Sequence, residues 1–429
     1  MHKEISVDSE DPIKAAALTA AIQSIDHGLR LCGIPGNSLL EVSDDLLVYL
    51  LSILRNESPI TPKASIDQWC DLLCVLKLHW ILPLLYWRIG SLPPEVRPPE
   101  SITDHMRMAF LESRVRSLRM ERQLGEILDA FQGEGVRALV LRGPALAWSV
   151  YPNSALRPGS DLDLLVLPEQ IIQARAVLEQ LGYKCLSKRF EVSKDFFREE
   201  DFIHQKNPSD NLVVDLHWVH WELHPFFGIS REVGVEDLFH RALKVKSSSM
   251  TFATLHPVDA LIHAAIHLAM IHNRDMRLIW ICDIGLLARH IRMPEDWEVL
   301  QERSVAWSAR LAVENCLKIA QAWIGLRLPD RFGDFSSWPR PTEEELAIWS
   351  HTMRRHWVSV LLKRYLSRPS GFREMLRSLF GLLFPHPDIV RYCYPPCRDW
   401  LLPLSYVRRW HRWFMELIVN RNGSSRQRV

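Results

Sequence analysis

The segment Ser160-Asp161-Leu162-Asp163, which runs directly into the apolar residues 164–166, is the feature that most constrains the fold. Residues two apart on a β-strand point to the same face, so Asp161 and Asp163 project together while Leu162 turns into the core. Two adjacent carboxylates repel each other unless a cation lies between them. Their oxygens suit Mg²⁺, which commonly uses one or two carboxylates together with substrate phosphates. A lone Asp-x-Asp more often marks a strand that ends in a solvated turn, so the neighbouring residues decide the interpretation.

A short strand and a glycine turn precede the two aspartates. Residues 137–141 form an apolar run that predicts a buried strand, and Arg142-Gly143 ends it with a turn. Pro144 suits the first turn of a helix, and residues 145–151 have helical composition. The predicted order is strand, glycine turn, short helix, loop and second strand. A glycine turn that opens a helix offers backbone N–H groups to an anion such as a triphosphate.

A third carboxylate lies on a later strand. Residues 211–218 are rich in β-forming side chains, and Asp215 and His217 share one face of this predicted strand. Taken alone, the two residues are better explained as a charge at a strand end and a hydrogen-bonded histidine. Residues 182–185 and 201–205 predict two further strands, and a turn at 207–211 predicts a hairpin. The sheet is therefore expected to be mixed rather than doubly wound.

Taken in order, these elements resemble the nucleotidyltransferase superfamily that includes DNA polymerase beta. They are more closely similar to the branch called the uncharacterised nucleotidyltransferase family, over about residues 60–410 and most strongly over 137–290. Arg142 stands where the family usually has lysine, and the planar guanidinium is not interchangeable with a point charge. The positions that carry the resemblance are Arg142-Gly143, Arg157, Asp161-Leu162-Asp163, Asp215-Leu216-His217-Trp218, His263 with His267, and Trp280-Ile281-Cys282-Asp283.

The resemblance implies a metal-dependent enzyme that transfers a nucleoside monophosphate from a nucleoside triphosphate, such as ATP, to an acceptor hydroxyl. Two Mg²⁺ ions are expected, with Mn²⁺ as an alternative. The expected site residues fall into three groups by role. The carboxylates expected to be catalytic and to bind metal are Asp161, Asp163 and Asp215; the nucleotide-binding residues are Arg142, Gly143, Arg157 and Ser160; the substrate-pocket residues are His217, His267 and Asp283.

The identity of the acceptor stays open at this point. A small molecule, a sugar, a peptide or a protein hydroxyl fits the same chemistry, and a protein acceptor would make the chain an AMP-transferring regulator. A catalytically silent module that binds a nucleotide or a partner is the non-enzymatic alternative. The presence of all three acidic positions argues against that alternative.

Composition limits the partners and the compartment that we expect. The net charge of +1 over 429 residues gives no global attraction to nucleic acid or to membranes. The eight cysteines are dispersed and the first residues are acidic and polar, which predicts a cytoplasmic protein with free thiols. The sequence contains no uninterrupted run of about 18 apolar residues, so we predict no transmembrane helix. Cys70 and Cys74 lie in an apolar helical pattern and are expected to be buried.

The chain divides by pattern into a central α+β part between two helical parts. We predict a small mixed β-sheet nucleotidyltransferase core with flanking helices, embedded between N-terminal and C-terminal helical regions. The predicted segments are a disordered start (1–12), an N-terminal helical region (13–132), the core (133–250), a C-terminal helical region (251–420) and a disordered tail (421–429).

Two features of the C-terminal region have more than one interpretation. The stretch after residue 361 is rich in arginine with three tryptophans among the arginines, and a basic aromatic helix can bind a membrane surface or nucleic acid. The pattern favours instead a folded helix with its arginines in water. His263 and His267 have the i, i+4 spacing of zinc-binding helices, but the glutamate of that motif is absent. We therefore expect these histidines in the core or in a pocket wall.

Overall fold

The computed structural model of the chain describes the helical N-terminal part, the sheet and most of the helices that follow. The described residues are 42–186, 199–204, 212–218, 234–271, 276–343 and 402–411, with single residues between 345 and 390. The expectations for residues 1–12, for the turn at 207–211, for the tail at 421–429 and for most of the basic C-terminal stretch lie outside this part.

Amphipathic helices form the first part of the described chain. Helix α1 begins with two acidic residues, which favour a helix N-terminus. Helix α2 is stabilised by a capping box in which Ser65 and Gln68 exchange hydrogen bonds. The helices are α1 (Asp44–Arg55), α2 (Ile66–Leu78), α3 (Leu82–Ile89) and the long α4 (Glu100–Gly133).

A seven-stranded mixed sheet follows within the described residues, with strand order β3-β4-β5-β2-β1-β7-β6. Strands β2 and β5 are parallel, as are β1 and β7, and the other neighbours are antiparallel. The mixed sheet predicted from the sequence is therefore confirmed. The strands are β1 (Ala138–Val140), β2 (Asp161–Val166), β3 (Tyr183–Cys185), β4 (Glu199–His204), β5 (Val213–His217), β6 (Leu243–Lys246) and β7 (Thr251–Thr254).

Further helices connect the strands and continue after the sheet. None of the described helices combines the length and the apolar character needed to cross a membrane. The helices are α5 (Arg142–Ser149), α6 (Ile171–Gln180), α7 (Val235–Arg241), α8 (Pro257–Ile266), α9 (Leu278–His290), α10 (Pro294–Ala306), α11 (Arg310–Ile324) and α12 (Asp330–Gly333), with a π-helix (His267–Ile271) directly after α8.

The two faces of the sheet pack against different helices. Leu162 and Leu164 of β2 belong to a hydrophobic cluster with α4 and α6. Leu165, on the opposite face, belongs to a larger cluster that joins the N-terminal helices to α8, α9 and α11. Because side chains alternate along a strand, Asp161 and Asp163 share the face of Leu165. The carboxylates therefore face the helical regions that precede and follow the sheet.

Several local predictions are wrong. Helix α5 begins at Arg142, two residues before the predicted start at Pro144, so Gly143 lies inside its first turn. Strands β6 and β7 were not predicted, because β7 joins the sheet by pairing with β1, which is far away in sequence, and β6 then pairs with β7. Cys70 and Cys74 are exposed, because both lie on the outer side of α2. The proposed segment boundaries stay predictions.

Gly285 allows α9 and α11 to approach closely, and we predict that Gly285→Ala destabilises the protein. A Cβ atom at Gly285 would lie 1.9 Å from Ile324 Cδ1. Forcing a methyl group into a packed contact costs about 1–3 kcal/mol. The matched control is Gly125→Ala in α4, where a Cβ meets nothing within 4 Å, and alanine should stabilise the helix by up to about 1 kcal/mol. Urea unfolding of both variants measures the difference, and equal stabilities would contradict the prediction.

Candidate active site

Pairing between strands brings the predicted carboxylates together. In the parallel pair β2–β5, Asp163 lies directly beside Asp215, and Asp161 lies beside Val213. On the other side of β5, Asp201 of β4 is the antiparallel neighbour of Asp215. Residues opposite each other in a sheet share a face, so these four carboxylates form one acidic surface across three strands. Asp201 is a member that the sequence analysis did not single out.

The acidic surface carries more negative charge than its neighbours offset. Burial raises the pKa of Asp161, and the adjacent carboxylate of Asp163 raises it further. Burial and four surrounding carboxylates, led by Asp163, raise the pKa of Asp215 to about 8. Asp163 is the exception, because Arg142 and His217 outweigh its burial and lower its pKa to about 2. The charge at Asp163 is thus compensated, whereas the charges at Asp161 and Asp215 are compensated less.

Arg142 links the glycine turn to the acidic surface. Its backbone has a φ of +48°, in the left-handed region that residues other than glycine seldom adopt. Its guanidinium lies 3.5 Å from Asp163 Oδ1 and donates a hydrogen bond of 3.2 Å to His263 Nε2. An unusual backbone conformation therefore places a cation between a carboxylate of β2 and a histidine of α8.

His217 contacts Asp163 rather than Asp215. Its Nε2 atom lies 3.0 Å from Asp163 Oδ1, and its Nδ1 atom lies 3.2 Å from Glu199 Oε2. The ring is 2% exposed, so two carboxylates hold a buried imidazole at both nitrogens. Glu199 was missed by the sequence analysis. The sequence reads Glu199-Glu200-Asp201, three acidic residues in a row, and Glu199 precedes the strand predicted at 201–205, so only its spacing of two from Asp201 could have indicated it.

Arg157 and Asp283 form a buried ion pair between the loop before β2 and helix α9. Arg157 donates to Asp283 Oδ2 at 2.9 Å, and the Tyr151 hydroxyl donates to Asp283 Oδ1 at 2.7 Å. The charge of Asp283 raises the pKa of Arg157 although burial opposes this. A Cβ atom at Gly143 would lie 2.3 Å from a guanidinium nitrogen of Arg157. Glycine at 143 therefore allows Arg157 to lie against the first turn of α5.

A cavity of about 370 Å³ lies between the sheet and the helical regions. This volume is within the usual range for ligand pockets. Asp215 and His217 are not part of its wall and are connected to it through Asp163. The wall contains eight of the ten predicted site residues, which are Arg142, Gly143, Arg157, Ser160, Asp161, Asp163, His267 and Asp283.

Trp80 and Arg277 also line the wall, although the sequence analysis did not single them out, and Trp280 joins them from the motif that contains Asp283. Trp80 lies between α2 and α3, and Arg277 and Trp280 lie at the start of α9. A second cavity of about 840 Å³ runs along α4 and shares Trp80 and Ser160 with the first. The two cavities therefore meet beside the carboxylates.

The chain belongs to the uncharacterised nucleotidyltransferase family, whose model matches residues 65–325. The match spans the sheet, the acidic surface and the helices that line the cavity, and it makes the chain a nucleotidyltransferase. No curated protein matches the chain. Among solved structures, the chain is similar to the antibiotic-resistance factor ANT(2'')-Ia, with 13% sequence identity and a TM-score of 0.33, over 46% of this chain and 98% of that chain.

Burial of Asp215 and repulsion from its neighbouring carboxylates should make the metal-free protein less stable as the pH rises. The pKa of about 8 in the folded protein lies above the ordinary value of 3.8, so the folded state holds a proton that the unfolded state releases. This contribution to stability is complete below pH 4 and is lost as the pH rises towards 8. Asp215→Asn should therefore raise the melting temperature, relative to wild type, more at pH 8 than at pH 5.

Thermal unfolding in the presence of a chelator measures this difference. Asp129→Asn, at an exposed position of α4, is the control for removing one negative charge. An effect of Asp215→Asn that is the same at both pH values would contradict the prediction.

Proposed function

We propose that this chain transfers a nucleoside monophosphate from a nucleoside triphosphate to an acceptor hydroxyl, with divalent metal ions held by Asp161, Asp163 and Asp215. The observation that carries the proposal is the strand register, which gathers the three carboxylates next to a cavity of ligand size. The family match supports the reaction class. The metal ions, the nucleoside triphosphate and the acceptor hydroxyl go beyond the family match and are our proposal.

The acidic surface fits divalent metal ions by charge and by donor type. Among the described residues, no group of three or more His, Cys, Asp or Glu side chains is already arranged around a metal position. Mg²⁺ nevertheless needs only one or two carboxylates when substrate phosphates supply further oxygens. Burial is the largest cause of the raised pKa values of Asp161 and Asp215, and repulsion from neighbouring carboxylates, which a bound cation would relieve, raises them further. Two Mg²⁺ ions, or Mn²⁺ in their place, would neutralise the phosphates and the attacking oxygen.

The residues of the chain would do the remaining work by positioning and by proton transfer. The acceptor oxygen forms a bond to the α-phosphorus, the bond from that phosphorus to the bridging oxygen breaks, and pyrophosphate leaves. Asp215, which lies beside Asp163 in the sheet, would accept the proton of the acceptor hydroxyl once a bound cation keeps its carboxylate ionised. The hydroxyl of Ser160 donates to Asp161 at 3.2 Å and would help to orient that ligand.

Arginines would balance the charge of the phosphates. Arg142 lies on the cavity wall beside Asp163, where it can contact a triphosphate bound to the same metal ions. Arg157 is held by Asp283 and would present a fixed positive charge next to Gly143. Preorganised cations of this kind stabilise the charge that develops during phosphoryl transfer. His267 and Asp283 also line the cavity, which supports their expected place in the substrate pocket.

We predict that the double variant Asp161→Asn/Asp163→Asn loses metal-dependent nucleotide binding and turnover, because the amides remove both charges that hold the cations. Calorimetry with ATP, GTP, CTP and UTP, each with and without Mg²⁺, measures binding and identifies the preferred base. Asp129→Asn should bind as wild type does. Wild-type turnover by the double variant would refute the proposed mechanism.

Assays on the wild-type protein distinguish the silent binding module from an enzyme and identify the class of acceptor. Wild-type protein that binds nucleotide but releases no pyrophosphate with any acceptor would favour a silent binding module. Incubation with cell lysate and labelled ATP, followed by mass spectrometry, would distinguish a modified protein from a modified small molecule. Label on a protein would identify the chain as an AMP-transferring regulator.

We also predict that Glu199→Gln weakens metal binding through His217. Glu199 contacts the His217 ring, which in turn contacts Asp163. Loss of the Glu199 charge should loosen His217 and allow the Asp163 carboxylate to turn away from the metal position. Loss of such an outer partner typically weakens metal binding about 10–100-fold. Titration with Mn²⁺, followed by electron paramagnetic resonance, measures the affinity without any substrate. Glu169→Gln, at an exposed position, is the control, and equal affinities of the two variants would show that Glu199 plays no such part.

A further inference from the structure

One part of the cavity wall has no role in the chemistry proposed above. Trp80, Arg277 and Trp280 all line the cavity that contains Asp161 and Asp163. The guanidinium carbon of Arg277 lies 4.6 Å from the centre of the Trp80 ring and 5.1 Å from that of Trp280. Both distances are typical of cation–π contacts. We call these three residues the arginine clamp.

The backbone of Trp80 is held in an unusual conformation. Its φ of +57° lies in the left-handed region, which is a genuine outlier for a bulky aromatic residue. The neighbouring His79 is fully buried and accepts a hydrogen bond of 3.3 Å from the backbone N–H of Leu278. Burial, assisted by the charge of Arg277, lowers the pKa of His79 to about 3, so the ring stays a neutral acceptor. The contact fastens the turn before α3 to the start of α9, which fixes Trp80 beside Arg277.

A second irregular element supports the other side of the clamp. The π-helix His267–Ile271 follows α8, and π-helical turns occur frequently at functional sites. His267, its first residue, contacts the Trp280 ring edge to face, with ring centres 5.0 Å apart. Residues from three separate parts of the chain therefore hold one guanidinium at the cavity wall.

The chemistry of a stacked guanidinium limits what it can bind. Arginine keeps its charge and carries its N–H donors in the plane of the group. Aromatic rings that lie against the group restrict its orientation, so a ligand meets a fixed fork of donors. Such a fork matches the paired oxygens of a phosphate or carboxylate group better than a lysine does.

We propose that the arginine clamp is an oxyanion subsite, which binds a phosphate or carboxylate group of a substrate in the cavity. The identity of that substrate rests on the proposed function. The oxyanion belongs either to the phosphate chain of the nucleoside triphosphate or to the acceptor.

Calorimetry on the full-length protein tests the clamp with two probes. The first is the preferred nucleoside triphosphate with Mg²⁺, and the second is inorganic phosphate, added both to the free protein and to nucleotide-saturated protein. Arg277→Gln should weaken binding of at least one probe about tenfold or more, the usual effect of losing a charged hydrogen bond. Arg277→Lys keeps the charge but loses the fork, so it should restore only part of the affinity. Arg292→Gln makes the same charge change at an exposed position and should have no effect.

The outcomes distinguish the two sources of the oxyanion. Weaker nucleotide binding by Arg277→Gln assigns the clamp to the phosphate chain of the nucleotide. If Arg277→Gln binds nucleotide as wild type does but no longer binds inorganic phosphate, the clamp is assigned to the acceptor. If neither probe is affected, or if wild type binds neither, the clamp is not an oxyanion subsite. If wild type fails to bind nucleotide yet binds phosphate through Arg277, the proposed function fails while the clamp stands.

Discussion

The parallel pairing of β2 with β5 is the constraint on which the rest of the site depends. The register places Asp163 beside Asp215, while Leu162 and Leu164 are completely buried on the opposite face. A shift of one residue would move the leucines out of the core and the aspartates into it. Hydrophobic burial therefore fixes the position of the carboxylates, and it can hold them together despite their mutual repulsion. The same packing energy that folds the sheet thus maintains a surface with excess negative charge.

Charged partners around this acidic surface compensate its carboxylates to different degrees. Asp163 is compensated by Arg142 and by His217, whose second nitrogen faces Glu199. Asp161 and Asp215 are compensated less, and their raised pKa values show the difference. The unequal compensation distinguishes Asp163, which Arg142 and His217 contact, from Asp161 and Asp215, whose pKa values stay raised. Removal of a single partner would disturb the geometry of the group as a whole, since the residues lie within one network.

The helical regions convert an acidic strand surface into a cavity. Arg157 pairs with Asp283 of α9, which ties the loop before β2 to the helices that follow the sheet. His79 binds the start of the same helix from the N-terminal side. Both contacts are buried, so water competes with them little and they hold the surrounding walls together. The walls consequently carry cations and aromatic rings next to the carboxylates, which is the composition expected around a phosphate-bearing ligand.

The sequence alone determined the central elements of the site. The spacing of Asp161 and Asp163 within an alternating apolar pattern predicted their common face, and the strand around Asp215 was evident from its β-forming residues. The mixed sheet followed from those patterns, because strands depend on periods of two residues and on local turns. Arg157, His267 and Asp283 of the cavity wall were expected there only from the resemblance to the family.

Only the tertiary structure decided which partners these residues have. It placed His217 on Asp163 instead of Asp215, it joined Arg157 to Asp283, and it brought Trp80 to Arg277. Strands β6 and β7 belong to the sheet because β7 pairs with β1, a contact between distant segments. Such contacts depend on the order of strands and the approach of helices, because those set which side chains meet. No local pattern contains that information, so the carboxylates could be found from the sequence, whereas the residues that surround them could not.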